Sequence, residues 1–175
     1  QGLRASIDYA KKLAPQLLDI GVGTSQAASQ ISQEENIVVM GTNLEELPQH
    51  NIFLGRSNIY ITLVEKLSNT IRHKYPLVIG VHSVAYSENP HLAAKQINQV
   101  LVENGIGKFC FAPFATGASD EKTSAGFANA FKHLNYEIAF PEDRLDILLV
   151  RKPGIANNNL PSLVEILSED KKYIW

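Results

Sequence analysis

The sequence predicts an α/β protein of three layers, in which a four-stranded parallel sheet lies between two layers of helices. Two observations predict this fold class. Strand and helix patterns alternate four times between Glu35 and Trp175, and the strands are continuous apolar runs, as expected of strands that are buried on both faces. Right-handed crossovers between parallel strands then place helices on both faces of the sheet.

The leading part of the chain shows a helical pattern. Residues 2–18 carry an apolar stripe at helical spacing that stops at Gly21-Val22-Gly23, and a short second helix follows to about Ser32. Because no strand pattern is found here, we expect residues 1–34 to form a helical appendage, the end of a longer chain. Residues 35–175 are then the α/β domain.

The elements of that domain follow in order. Apolar runs rich in β-branched residues predict the four strands, over residues 36–40, 76–81, 108–112 and 145–150. Apolar residues at helical spacing predict the helices, over residues 60–71, over residues 90–105, around Phe127 and Phe131, and from Asn159 onward. Pro90 and Gly105 are typical of the first turn and the stop of a helix.

Composition excludes several function classes. The net charge is −2 and the basic residues are scattered, which argues against a nucleic-acid partner. No apolar run reaches the ~18 residues of a membrane-spanning helix, so we expect no membrane insertion. The single cysteine, Cys110, excludes an internal disulfide and Cys-rich metal sites. These features favour a cytoplasmic protein.

Candidate site residues lie at the predicted carboxyl ends of the strands, where open parallel sheets bind their ligands. Three of these ends offer polar groups: Met40-Gly41-Thr42-Asn43, His82-Ser83 with Glu88 beyond them, and Thr116-Gly117-Ala118-Ser119-Asp120. We expect the ligand-binding residues to be Met40, Gly41, Thr42, Asn43, Ser83, Thr116, Gly117 and Ser119. The two glycine-containing segments either cradle an anion with backbone N–H groups or form tight turns that need no ligand.

His82 is the candidate whose side chain can take the largest number of chemical roles. An imidazole at the end of a strand can ligate a metal or transfer a proton, and it can also simply bond to a neighbouring carbonyl group. Ser83 lacks the flanking glycines of a nucleophile elbow, so a hydrolase triad is disfavoured. Cys110 lies between two phenylalanines and is expected to be a buried packing residue.

The order of these pieces resembles one half-unit of the sirohydrochlorin and cobalt chelatases, the class II chelatase superfamily. Four stretches carry the resemblance: Val38 to Asn43, Asn89 to Ala94 followed by Gly105, Phe109 to Phe114 with Gly117, and Val150 to Val164. Two departures stand against it. Met40 occupies the place of one metal-binding histidine of the family, and Ala118 and Ser119 stand where a second is expected.

The resemblance implies a lyase that inserts Co²⁺ or Fe²⁺, as a metal substrate, into a sirohydrochlorin-like tetrapyrrole. His82 would be the metal ligand and the catalytic base, Glu88 a catalytic residue and Asp120 a metal ligand. It also implies a homodimer, or packing on a second half-unit. Two alternatives stay open: a non-catalytic module that binds a tetrapyrrole or another small ligand, including the inactive half of a two-domain chelatase, and an unrelated doubly wound α/β protein.

Overall fold

A computed structural model describes residues 2–23, 26–46, 58–111, 123–142, 145–157 and 159–170. The described helices are α1 (Arg4–Lys11), α2 (Gln26–Glu35), α3 (Leu67–Thr70), α4 (Pro90–Val100), α5 (Ser124–Lys132) and α6 (Leu163–Asp170). The described strands are β1 (Gln16–Ile20), β2 (Val38–Asn43), β3 (Ile59–Ile61), β4 (Tyr75–Val81), β5 (Leu101–Cys110), β6 (Glu137–Ala139) and β7 (Ile147–Arg151).

These strands form one seven-stranded sheet in the order β3-β2-β1-β4-β5-β7-β6. Neighbours from β3 to β5 are parallel, whereas β7 is antiparallel to both β5 and β6. The four-stranded, all-parallel sheet that the sequence predicted is therefore wrong. The segment between β6 and β7 has no helix in its described residues, and only antiparallel neighbours can be joined without a long crossover.

Helices cover both faces of the sheet. On one face, which we call the α4 face, α3, α4 and α5 pack against strand side chains such as Leu18, Val78 and Phe109. On the other, the α1 face, α1, α2 and α6 pack against Leu17 and Leu77. Strand residues alternate between the two faces, so apolar side chains are needed on both sides, as the continuous apolar runs indicated.

The largest difference from the sequence prediction lies in the first 20 residues. The predicted helix over residues 2–18 is wrong: α1 ends at Lys11, and β1 begins at Gln16, directly after Pro15. Proline fixes its own backbone and disfavours a helical residue before it, which separates the two elements. The segment expected to be an appendage thus supplies a strand in the middle of the sheet, between β2 and β4.

Other local predictions have mixed outcomes. Strands β2, β4, β5 and β7 lie at the four apolar runs, and α2, α4, α5 and α6 lie at predicted helices. The predicted end of α4 at Gly105 is wrong, because α4 ends at Val100 and Gly105 belongs to β5. The single helix predicted over residues 60–71 is wrong, because β3, a 3-10 turn (Val64–Lys66) and the short α3 occupy that stretch. Among the helices that the structure describes, none combines the length and the apolar character that crossing a bilayer requires.

Candidate functional site

The strand order places a switch point at the carboxyl ends of β1 and β4. From β1 the chain passes to β2 on one side, whereas β4 lies on the other side of β1. Ligands of open α/β sheets bind in the crevice at such a point. A cavity of about 260 Å³ opens here. We call it the switch-point cavity; its wall includes Gly21, Thr42, Asn43, Leu44, Leu63, Glu65, Val81, His82, Ser83, Tyr86 and Ser87.

A glycine turn follows β1 at the cavity. Gly21 and Gly23 have φ angles of +74° and +55°, which residues with a side chain rarely adopt. A Cβ atom on Gly21 would lie only 2.4 Å from Cβ of Ser83. The backbone N–H of Gly21 donates to Oγ1 of Thr42 at 3.2 Å. Gly21 is therefore required both by its backbone conformation and by the close approach of the segment after β4.

The sequence pattern indicated a helix stop at these glycines, and they were not among the predicted site residues. The signal that could have located them is a Gly-x-Gly turn directly after the apolar run Leu17 to Ile20. In Rossmann-type sheets such a turn follows the first strand and approaches the ligand with its backbone. The third glycine of the usual fingerprint is not present, because Gln26 stands at its position.

Asn43 ends β2 and lines the cavity. In Rossmann-type sites an Asp or Glu about 20 residues after the glycine turn binds the ribose hydroxyls. Here the corresponding side chain is a neutral amide, which can both donate and accept hydrogen bonds. The preceding residue, Thr42, is buried and already bonded to the glycine turn. The end of β2 therefore brings a hydrogen-bonding group to the cavity and no charge.

His82 and Ser83 form the wall at the end of β4. His82 has a φ of +61°, and its backbone N–H donates to the carbonyl oxygen of Cys110 at 2.7 Å. The residue is exposed at the rim of the cavity. The Ser83 hydroxyl donates to the carbonyl oxygen of Ile20, which ties the β4 end to the β1 end. An available imidazole and an occupied hydroxyl therefore face the same cavity.

Glu65 supplies a carboxylate to the wall of the cavity. Its Oε1 accepts hydrogen bonds from the Ser87 hydroxyl at 2.6 Å and from the Glu88 backbone N–H at 2.9 Å. Desolvation raises the pKa of this carboxyl, but the hydrogen bonds from Ser87 and from neighbouring backbone groups outweigh it and lower the pKa below its ordinary value. Glu65 is therefore ionised at neutral pH. Glu65 was not among the predicted site residues, because it lies in a stretch predicted to be helical.

Asp19 lies one residue before the end of β1. Its register partners are Gly41 on β2 and Ile79 on β4. Desolvation raises the pKa of the Asp19 carboxyl to about 7. A carboxyl with this pKa exchanges its proton near neutral pH, and Asp19 lies two residues before Gly21.

The structure brings four of the predicted site residues together in this cavity: Thr42, Asn43, His82 and Ser83. Their roles in binding or catalysis stay predictions. Two others are placed elsewhere. Met40 packs against the core of the α4 face, and Gly41 is buried, with the Val22 side chain where its own Cβ would be.

The remaining predicted site residues follow β5 and β4 in the sequence. Thr116, Gly117, Ser119 and Asp120 lie outside the described residues. Glu88 is exposed and is not part of the cavity wall; it is near the site only through its backbone N–H, which donates to Glu65. In the described ranges, no three His, Cys, Asp or Glu side chains are arranged to hold a metal ion.

Comparisons with known proteins identify the fold of this chain through similar solved structures. No family model matches the sequence, and no curated protein matches it either. Solved structures do match. The sugar N-methyltransferase KedS8 from Streptoalloteichus sp ATCC 53650 has a TM-score of 0.65 and 11% identity, and the match covers 88% of this chain and 89% of that chain.

Two further structures match over similar lengths. The plantazolicin methyltransferase BpumL, solved with a triazolic desmethylPZN analog and SAH, has a TM-score of 0.61 and 15% identity, with 87% of this chain and 84% of that chain covered. The [4+2]-cyclase SpnF has a TM-score of 0.58 and 15% identity, with 86% and 80% covered.

These likenesses correct the sequence-based identification. The resemblance to the chelatases is wrong, and so are the tetrapyrrole, the lyase activity and the divalent metal substrate that it implied, because the matching folds are of another kind. The weak chelatase motifs were short strand–turn–helix pieces, which many parallel α/β sheets share. The chain has the Rossmann-like, seven-stranded fold of SAM-dependent methyltransferases.

Proposed function

We propose that this chain binds S-adenosylmethionine (SAM) in the switch-point cavity and transfers its methyl group to a small-molecule acceptor. One observation carries the proposal. The glycine turn and the cavity lie at the switch point of a seven-stranded mixed sheet, in a fold that matches solved methyltransferase structures. The fold alone does not determine the chemistry, so the contents of the cavity must also suit the cofactor.

The charge of the cavity suits SAM. Among the described residues of its wall, Glu65 is the carboxylate and no lysine or arginine is present. SAM carries a sulfonium cation, an ammonium cation and a carboxylate, so its net charge is positive, and it has no phosphate. A dinucleotide would bring a pyrophosphate next to Glu65. The electrostatics of the wall therefore favour SAM over a dinucleotide.

The residues present can bind the ribose and the base of the cofactor. The glycine turn allows the backbone to approach it closely, and the Asn43 amide offers a hydrogen-bonding partner to a ribose hydroxyl. Leu44 and Leu63 are 67% and 45% exposed and present apolar surface for the base. When bound, SAM supplies an electrophilic methyl group, which a nucleophilic atom of the acceptor takes while the C–S electron pair stays on sulfur.

A second cavity supports a small-molecule acceptor. It measures about 380 Å³, lies on the α1 face, and is lined mainly by apolar side chains such as Leu3, Ile31 and Ile79. Val81 lines both this cavity and the switch-point cavity. Two guests would thus lie on either side of one side chain. The exposed His82 imidazole is our candidate to accept a proton from the acceptor. Dimer formation and a cytoplasmic location stay predictions.

A second candidate function is binding of the same cofactor without methyl transfer. The likeness to SpnF favours this function, because SpnF has the same fold and is named as a cyclase, not as a methyltransferase. The neutral Asn43 at the end of β2 also departs from the acidic residue of Rossmann-type sites. Formation of S-adenosylhomocysteine (SAH) from SAM in the presence of a panel of small nucleophiles separates the two functions.

The proposed function predicts a charge-sensitive binding site. Calorimetry should show one SAM or SAH molecule bound per chain and no binding of NAD⁺. Leu63→Lys, which places a cation in the wall, should weaken SAM binding at least tenfold. Leu92→Lys is the matched control, because Leu92 is 39% exposed and lies on α4, outside the wall. It should change the affinity less than twofold.

Three results would contradict the proposal. If titration with SAM and with SAH produced no heat of binding, the proposal that the chain binds this cofactor would be refuted. NAD⁺ binding more tightly than SAM would assign the cavity to a dinucleotide. Equal effects of the two lysine variants would place the cofactor elsewhere on the molecule.

A further inference from the structure

The end of β2 lacks the carboxylate that Rossmann-type sites use for the ribose. Asn43 occupies that place, and the residues that flank it along β2 are Thr42 and Leu44. A hydrogen bond from a ribose hydroxyl to a carboxylate is charge-assisted and stronger than one to a neutral amide. The end of β2 therefore binds a ribose less tightly here than in sites that carry the acid. A carboxylate from another element of the cavity wall would replace the missing interaction.

Glu65 supplies a carboxylate to the same cavity. It belongs to the 3-10 turn that follows β3, and β3 is the neighbour of β2 in the sheet. Its side chain and that of Asn43 both line the cavity. Among the described residues of the wall no lysine or arginine is present to neutralise it.

Glu65 is also held in a defined orientation. Its Oε1 accepts from the Ser87 hydroxyl and from the Glu88 backbone, and Ser87 is 2% exposed. These donors lower the pKa of the carboxyl, so that it carries its charge at neutral pH. A fixed, ionised carboxylate is preorganised to accept hydrogen bonds from a ligand.

We propose that Glu65 accepts the hydrogen bonds of the ribose hydroxyls of the bound nucleoside, taking the part of the acid that the end of β2 lacks. The inference rests on the proposed function, since it assigns a residue to the same cavity. Glu65 has a structural role as well: its bonds to Ser87 and Glu88 fix the segment that leads into α4. The test must therefore measure something that a purely structural residue would not change.

Comparing two nucleosides within one variant provides that measurement. Adenosine and 2′,3′-dideoxyadenosine differ only in the two hydroxyls, and each can be titrated as a competitor of SAH. In the unaltered protein we expect adenosine to bind at least tenfold more tightly. In Glu65→Gln the ratio should fall below threefold. Because both affinities are measured on the same preparation, a reduced folded fraction cancels from the ratio.

The matched control is Glu103→Gln, which removes the same charge from an exposed residue near the amino end of β5, away from the cavity. It should keep the tenfold ratio. If Glu65→Gln does not fold, Ser87→Ala serves instead, because it removes one of the bonds that orient Glu65, and it should also lower the ratio.

The outcomes distinguish the two proposals. If SAH does not bind to the unaltered protein, the proposed function and this inference both fail. If SAH binds but the ratio is the same in Glu65→Gln and the unaltered protein, only the assignment of Glu65 fails. Inosine, which lacks the exocyclic amine of adenosine, provides a third arm. If the variant reduces the preference for adenosine over inosine instead, Glu65 contacts the base and the ribose assignment is overturned.

Discussion

Asp19 shows how the sheet acts on a single titratable group. It lies on β1, an inner strand of the sheet, with Gly41 and Ile79 as its register partners on β2 and β4. Desolvation raises the pKa of its carboxyl to about 7, compared with ~3.9 in an unfolded chain. Between these two values the folded chain holds a proton that the unfolded chain has released. Stability must therefore fall as the pH rises through this range.

We predict the corresponding pH dependence for Asp19→Asn. The favourable contribution of the protonated carboxyl is complete below pH ~4 and is lost as the pH rises through about 7. Relative to the unaltered protein, the variant should gain roughly 2–4 kcal/mol in free energy of unfolding between pH 4 and pH 8. Urea titrations at several pH values measure it. Asp8→Asn, on the exposed side of α1, is the control, and an equal gain there would refute the prediction.

At the scale of elements, a buried ion pair joins α6 to β5 and to the start of α1. Lys108 Nζ lies 2.5 Å from Asp170 Oδ2, and the two side chains are 7% and 3% exposed. Asp170 also accepts hydrogen bonds from the Ala5 and Ser6 backbone N–H groups at 2.7 and 3.2 Å. The last residue of α6 thus satisfies the first turn of α1, where helices have unpaired N–H groups.

Breaking this pair should destabilise the protein more than removing it. Asp170→Asn leaves the Lys108 ammonium buried without its counter-charge, so we expect a loss of about 3 kcal/mol or more in free energy of unfolding. Adding Lys108→Met to that variant should restore part of the loss. Denaturant titration of both single variants and the double variant checks this. Additive single effects would show that the pair is not coupled. Asp8→Asn, which breaks an exposed pair with Arg4, should cost less than about 1 kcal/mol.

At the scale of the whole molecule, the position of β1 decides whether residues 35–175 can fold without residues 1–34. β1 pairs with β2 along its whole length and with β4 from Leu17 to Ile20. Leu17 and Leu18 are fully buried, one on each face of the sheet. Removing β1 would separate β2 and β3 from the other strands and expose both layers of the core to water.

We therefore predict that residues 35–175 do not fold alone. That fragment lacks α1, β1 and nearly all of α2, so it should show no cooperative thermal unfolding transition and no near-ultraviolet circular dichroism signal. The full chain, measured under the same conditions, is the control and should unfold cooperatively. A cooperative transition in the fragment would show that residues 1–34 are a dispensable appendage after all.

The site was only partly predictable, for a physical reason. Polar residues directly after apolar runs, such as Asn43 and His82, could be recognised because the end of a buried strand is a local pattern. Gly21 and Glu65 could not be assigned in the same way. The meaning of Gly21 depends on the approach of Ser83, 62 positions later in the sequence, and Glu65 reaches the cavity only because β3 joins the edge of the sheet.

The sequence by itself determined four of the seven strands, β2, β4, β5 and β7, because a strand buried on both faces is a continuous apolar run. It also located α2, α4, α5 and α6, because a helix buried on one face carries an apolar stripe. These patterns extend over a few neighbouring residues. Only the tertiary structure decided that residues 16–20 are a strand, that β7 runs antiparallel, and that β1 and β4 meet at a switch point. A short apolar run satisfies a buried helix and a buried strand equally well, and the choice is made by hydrogen bonds to strands distant in the sequence.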